Sequence, residues 1–198
     1  MPIAMELPGT FEEVEARVAA MLAEGAENRT CAGHTPVVAT ADGDVRVMVL
    51  RAFDRDTWTM RFHTDLRAPK CAVVADDPAL HVLIYDRDAK TQLRIAGTGE
   101  IVSNGKAVDD AWNASTRFAR RCYMGDAPGD ISDEPTTGLP AKVEGVQPSE
   151  RELAAARANF ALLRVRLHQA DWFTLDHHGH RRAIIDLTRP DNSRWVAP

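Results

Sequence analysis

Between residues 45 and 103 the chain alternates apolar and polar side chains with a period of two, and this pattern constrains the fold more than any other feature. In VRVMVLRAF (45–53), Val45, Val47 and Val49 point one way and Arg46, Met48 and Leu50 the other. A turn at Asp54–Asp56 follows and TWTMRFHT (57–64) alternates again, which predicts an antiparallel hairpin. ALHVLIYD (79–86) predicts a third strand with an almost continuous apolar run, and its His81 is expected in the core. TQLRIAGTGEIVS (91–103) predicts a long strand whose two glycines mark a bulge or bend. Upstream, PVVAT leads through a turn at 41–43 into the first of these strands. Downstream, ALLRVRLHQ, ADWFTLD and RRAIIDLT predict further strands, with HHGH (177–180) as the last hairpin turn.

Helices frame this sheet. Thr10 and Glu13 have capping-box spacing, and Phe11, Val14, Val18 and Met21/Leu22 recur on one face, predicting a helix over 10–24 that stops at Gly25. KCAVVADD (70–77) predicts a short helix, 105–122 a second helical stretch, and SERELAAARANF a third. Residues 125–148 hold four of the eleven prolines and four of the twelve glycines, the composition of a long loop. The expectation is an α+β chain, mainly β: one domain over 1–198, an antiparallel barrel with an N-terminal helix at 10–24 and a loop and helical insertion at 105–159.

Composition excludes several classes. The net charge is 24 − 29 = −5, which gives no overall attraction to nucleic acid or an anionic membrane. Cys31, Cys71 and Cys122 are odd in number and in no paired spacing, so neither a disulfide framework nor a zinc site is expected. No apolar run approaches the ~20 residues of a membrane span and no secretory signal is visible, so the expected location is the cytoplasm.

The stretch RFHTDLRAPK (61–70) crowds Arg61, Arg67 and Lys70 around Thr64 at the end of a strand, without a glycine-rich loop. It is either a phosphate-holding corner or a solvated turn. Arg46, on an otherwise apolar strand face, needs an anionic partner, because burying an unpaired guanidinium is costly. A phosphate and one of the 29 acidic residues are the alternatives.

Taken in order, RVMVLRAFD, FHTDLRAPK, DPALHVLIYD and TQLRIAGTGEI, with RVRLHQADWF further on, resemble the pyridoxamine 5′-phosphate oxidase family of FMN-binding split β-barrels. The resemblance covers roughly 34–110 and 160–185, and the chain is most similar to that family's divergent, oxidase-related branch. It implies FMN as cofactor, an FMN-dependent oxidoreductase acting on a small substrate, and a homodimer with the cofactor in the cleft between two barrels. A non-catalytic FMN- or haem-binding protein of the same fold is the alternative.

Position by position, the resemblance implies that Arg46 opens the first FMN-binding strand and that Val47, Met48, Val49 and Leu50 lie along the flavin. Arg51 stands where the vitamin oxidase has a substrate-contacting lysine and belongs to the same set. His63 and Thr64 match an aromatic–threonine pair, Lys70 the lysine on the FMN phosphate, and Gln92 a glutamine that hydrogen-bonds the cofactor. Phe173 or Trp172 matches a tryptophan beside the flavin, and Arg182 or Arg181 a late arginine. Pro69 replaces the arginine that usually precedes the lysine, leaving Arg67 as its substitute. Trp112 falls near a substrate-phosphate tyrosine, while Arg117, Arg120 and Arg121 are either substrate contacts or a solvated helix face. HHGH is either a metal- or haem-ligating turn or a pair of exposed, unligated histidines; no carboxylate or cysteine is spaced nearby to complete a ligand set, so no metal is expected.

Overall fold

In the computed structural model, which describes residues 7–198, the capping box forms as its spacing implies. The Thr10 hydroxyl accepts the Glu13 N–H at 3.2 Å and the Glu13 carboxylate accepts the Thr10 N–H at 3.3 Å. These bonds satisfy orphan donors at the start of α1 (Phe11–Glu27), and Val14, Val18 and Leu22 on its inner face are buried. Gly25 does not stop the helix. A Cβ there would stand 2.6 Å from the Gly33 carbonyl oxygen, so close backbone approach requires glycine, and Asn28 closes the helix.

Nine strands follow among the described residues: β1 (Val37–Thr40), β2 (Val45–Val47), β3 (Leu50–Asp54), β4 (Thr59–Asp65), β5 (Ala79–Asp86), β6 (Thr91–Val102), β7 (Phe160–Thr174), β8 (Arg181–Asp186) and β9 (Arg194–Trp195). Four helices separate them: α2 (Pro69–Asp76), α3 (Lys106–Ala114), α4 (Arg117–Arg120) and α5 (Glu150–Leu153). The sheet order is β2-β1-β5-β6-β7-β4-β3, with β8 on β7 and β9 on β8. The pairs β1–β2, β1–β5, β3–β4, β5–β6, β7–β8 and β8–β9 are antiparallel. The α+β, mainly antiparallel architecture is the one expected.

Several boundaries differ. VRVMVLRAF is two strands, broken at Met48–Val49, and the β3–β4 register slips between Leu50 and Ala52. That irregularity leaves Arg51 as an extra residue, a place where sheets re-aim a side chain. Conversely, β7 is one 15-residue strand where two were expected. Its buried phase shifts from Leu163, Val165 and Leu167 to Ala170, Trp172 and Thr174, which resembles a strand end in sequence although the strand continues. The 105–122 stretch breaks into α3 and α4 at Ser115–Thr116, and the third predicted helix keeps only the four residues of α5.

His81 is exposed, contrary to its expected place in the core. β5 alternates strictly, so Leu80, Val82 and Ile84 are buried while His81, Leu83 and Tyr85 face outward. Trp58 is a turn residue with φ +49°, packed edge-on against Phe53 at 5.6 Å.

The chain packs as two compact units. One holds the residues up to Phe62, Pro78–Gly99 and Val165 onward; the other holds His63–Asp77 and Glu100–Arg164. The first has Leu50, Met60, Phe62, Leu80, Ile84, Leu93 and Ile95 in its core, each at most 2 % exposed. Gly97 of β6 lies so close to β7 that a Cβ would stand 2.6 Å from the Arg166 carbonyl oxygen. The second unit is built around Phe160, whose ring meets Trp112 at 5.4 Å, Tyr123 at 5.1 Å and His63 at 4.9 Å. Trp112 is therefore a core residue, 6 % exposed, packed with Val108, Leu153 and Leu162. No helix among the described residues is long and apolar enough to cross a membrane.

Candidate cofactor site

In the second unit, β4 ends in Thr64 and Asp65, and α2 begins four residues later with Pro69 at its first position. Proline suits that position, where its missing N–H would be unbonded in any case. No side chain caps α2, because its N-cap residue is Ala68. Lys70 thus stands in the first turn of a helix that carries the partial positive charge of its N-terminus. The Thr64 hydroxyl is buried, 3.3 Å from the Asp65 carbonyl oxygen and 3.9 Å from the Cys71 sulfur. Burial pushes the Cys71 thiol above its ordinary pKa, so it is a protonated packing group and not a nucleophile.

Arg67 has other partners than the phosphate role suggested for it. Its Nε and Nη2 bond the Asp65 carboxylate at 3.0 and 2.8 Å, and its Nη1 bonds the Gly125 carbonyl at 3.0 Å. The guanidinium fastens the loop after Tyr123 to the β4–α2 corner, and Gly129 reaches that corner too, where a Cβ would meet Pro69 at 3.6 Å. Arg120 and Arg121 also have structural partners. Arg120 is 6 % exposed, pairs with Glu150 at 2.7 and 3.0 Å and lies 5.3 Å from the Trp112 ring. Arg121 bonds the Val143 and Val146 carbonyls.

In the first unit, Arg46 is turned to the inner side of β2, opposite Val38. Its guanidinium bonds the Thr40 hydroxyl at 3.0 Å and pairs with Asp44. Its acidic partner is therefore Asp44. Met48 (8 % exposed) and Leu50 (0 %) share this inner side, so what they offer a cofactor comes from their backbone. Val47 (62 % exposed) and half-buried Val49 present side chains outward, and Arg51 is exposed at the β3 irregularity.

The outer face of the sheet brings the remaining candidates together. Val47, Val37 and Leu83 lie in one row, Tyr85 stands opposite Gln92, and Phe173 stands opposite Arg182. Of the C-terminal alternatives, Trp172 is in the core at 2 % exposure, while Arg181 bonds the Leu7 and Pro8 carbonyls. Phe173 and Arg182 are the pair left on the outer face. Between them and β6 sits Asp171, with Arg182 Nε and Nη2 at 2.9 and 2.8 Å and Arg94 on its other side. Burial would raise the Asp171 carboxyl, but the hydrogen bonds from Arg182 and Arg94 more than reverse this and hold it below the usual range. Two guanidiniums on one carboxylate leave a net positive charge on this face.

The second unit offers an uncapped helix start with a lysine and a buried hydroxyl; the first offers an apolar sheet face edged by an amide and guanidiniums. Residues 20–103 match the family model described as pyridoxamine 5′-phosphate oxidase, FMN-binding domain. FMN is accordingly the cofactor of this domain, and the residues present fit it: a lysine and helix amides for a phosphate, apolar and amide groups for a ring. Arg61 on β4 has a buried Nε with no hydrogen-bond partner, an available donor.

The chain resembles the crystal structure of a pyridoxamine 5′-phosphate oxidase-related FMN-binding protein from Nostoc punctiforme PCC 73102. The TM-score is 0.67 at 22% identity, covering 92% of this chain and 96% of that one. It also resembles PhzG from Burkholderia lata 383, crystallised with tetrahydrophenazine-1-carboxylic acid, with a TM-score of 0.64 at 16% identity over 100% and 97% of the two chains. Both likenesses establish the fold, the split β-barrel of the oxidase family. No curated protein sequence matches the chain.

The expectation that nothing completes a ligand set around HHGH needs correction. Asp176, adjacent in sequence, places a carboxylate oxygen within 4.8 Å of ring nitrogens of His177 and His178.

Proposed function

We propose that the chain is an FMN-dependent oxidoreductase acting on a small substrate and working as a homodimer. The observation that carries this reading is the β4–α2 corner, where Lys70 stands at a helix start that no side chain caps, one residue before Cys71 and its neighbour Thr64. A phosphate carrying nearly two negative charges finds there an ammonium, a hydroxyl and backbone amides without needing a glycine-rich cradle. Arg46 is a further candidate cation, held in this structure by Asp44, whose side chain is 67 % exposed.

The outer sheet face supports the rest. Val45, Val47, Leu83 and Tyr85 are 60, 62, 39 and 54 % exposed, an apolar surface that a flat ring and a second copy of the chain can cover. Gln92 offers an amide to the polar ring edge. The Arg94–Asp171–Arg182 set has the sign of charge that favours a reduced, anionic ring, with Phe173 beside it. Arg51 and His63 complete the proposed contacts, with Val49 and the Met48 and Leu50 backbone along the ring. When bound, FMN supplies two-electron transfer between a small substrate and an acceptor. The chain's own groups hold the cofactor, set the polarity of its surroundings and exclude water.

Purified, untagged protein tests the reading. A yellow sample whose flavin bands bleach with a reductant and return in air, eluting at twice the chain mass, is the expected result. A colourless protein that ignores added FMN overturns it.

A further inference from the structure

The turn joining β7 to β8 gathers a ligand set that the flavin reading does not use. His178 Nδ1 lies 3.2 Å and His177 Nδ1 3.7 Å from the same Asp176 carboxylate oxygen, and one ligand atom from each of the three residues falls within 4.8 Å of the others. Ligands about 2.05 Å from a tetrahedral metal centre stand about 3.3 Å apart. Two edges of such a tetrahedron are therefore nearly in place, and rotation of two exposed rings closes the third.

The carboxylate is already oriented. Its Oδ1 accepts the His178 backbone N–H at 2.8 Å, the kind of outer bond that fixes a ligand's direction. The Asp176 N–H in turn donates to His180 Nδ1 at 3.2 Å. A cavity of about 500 Å³ opens beside the turn, lined by Asp176, His177 and His180 together with Tyr85, Arg87 and Lys90. It leaves room for a further ligand, such as water or a small anion that Arg87 and Lys90 attract.

We propose that Asp176, His177 and His178 form a binding site for one divalent transition ion of the zinc, nickel or copper class. Two imidazoles and a carboxylate suit borderline ions of that class, whereas magnesium and calcium prefer sets made of oxygen. A fourth position is left for water or a small anion. Arg87 and Lys90 oppose a bare cation, so the site is of modest affinity and binds best with an anion completing the coordination.

Calorimetric titration of chelator-stripped, untagged protein with zinc or nickel chloride tests this. The parent is expected to bind one ion per chain, and neither metal-free buffer nor magnesium should give a signal. The paired substitution H177Q/H178Q, and D176N separately, should weaken binding at least about tenfold, the smallest loss seen even for partners outside the first coordination sphere. The two histidine side chains are 81 and 79 % exposed, so the paired variant is expected to fold and melt as the parent does. It carries the test if D176N folds poorly. A parent that binds no ion below about 100 μM, near −5.5 kcal/mol, overturns the proposal. So does a paired variant that binds as the parent does. Flavin content, measured on the same samples, should be equal in parent and paired variant, which keeps this result separate from the cofactor reading.

Discussion

Replacing Asp171 with Asn removes the one negative charge between two guanidiniums. The carboxylate is 9 % exposed, while Arg94 and Arg182 are 51 and 29 % exposed. Breaking a fully buried pair costs ~3–5 kcal/mol, mostly from the charge left behind. Here both arginines reach water once released, and the Asn carbonyl still accepts a hydrogen bond, so about 2–3 kcal/mol is expected. For a chain of this length that lowers the melting temperature by about 4–12 °C. The effect has a defined pH signature. Because the folded-state pKa of Asp171 is depressed, its stabilisation is fully present above the ordinary aspartate value of ~3.9 and is lost as pH falls through the lower, folded value. Thermal unfolding followed by circular dichroism should therefore show a constant gap between parent and D171N from pH 5 to 8 that narrows below about pH 4. Melting temperatures that coincide at pH 7, or a gap that is as large in acid, would refute the ion-pair account of this face.

Two other changes read separate parts of the structure. Arg67→Ala unties Gly125 and Asp126 and leaves Asp65 without its cation, so amide exchange and protease cleavage should rise across residues 125–130 while β1 and β5 stay protected. Unchanged exchange there would mean that the loop is held by other contacts. Gly97→Ala forces a methyl to within 2.6 Å of the Arg166 carbonyl oxygen and 3.0 Å of Val165, overpacking that should cost about 1–3 kcal/mol or more in denaturant unfolding.

Period-two alternation made the sheet legible, because a buried face imposes it residue by residue: β4, β5 and β6 fall where the pattern put them. It was least informative where a strand changes phase. The slip at His168–Gln169 inside β7 and the break at Met48–Val49 are set by pairing partners, which local sequence does not contain. His81 misled for a related reason: a histidine in an apolar run appears central, yet Leu83 and Tyr85 beside it are also outward. At the site, residue types and order pointed to the family, and the chemistry of Lys70 and Thr64 was visible in one ten-residue stretch. What sequence did not reveal was pairing: Asp44 for Arg46, Asp65 for Arg67, Glu150 for Arg120 and Asp171 for Arg182. Each arginine could be read as an anion site until its carboxylate was placed.

The most direct test of the central claim is the affinity of the apoprotein for FMN, followed by flavin absorbance, in the parent and in Lys70→Ala. Loss of a charge-assisted phosphate contact is worth about 1.5–3 kcal/mol, so the account predicts an FMN dissociation constant raised ~10–150-fold, with the fold intact by circular dichroism. A Lys70→Ala protein that binds FMN as tightly as the parent would place the phosphate elsewhere and contradict it.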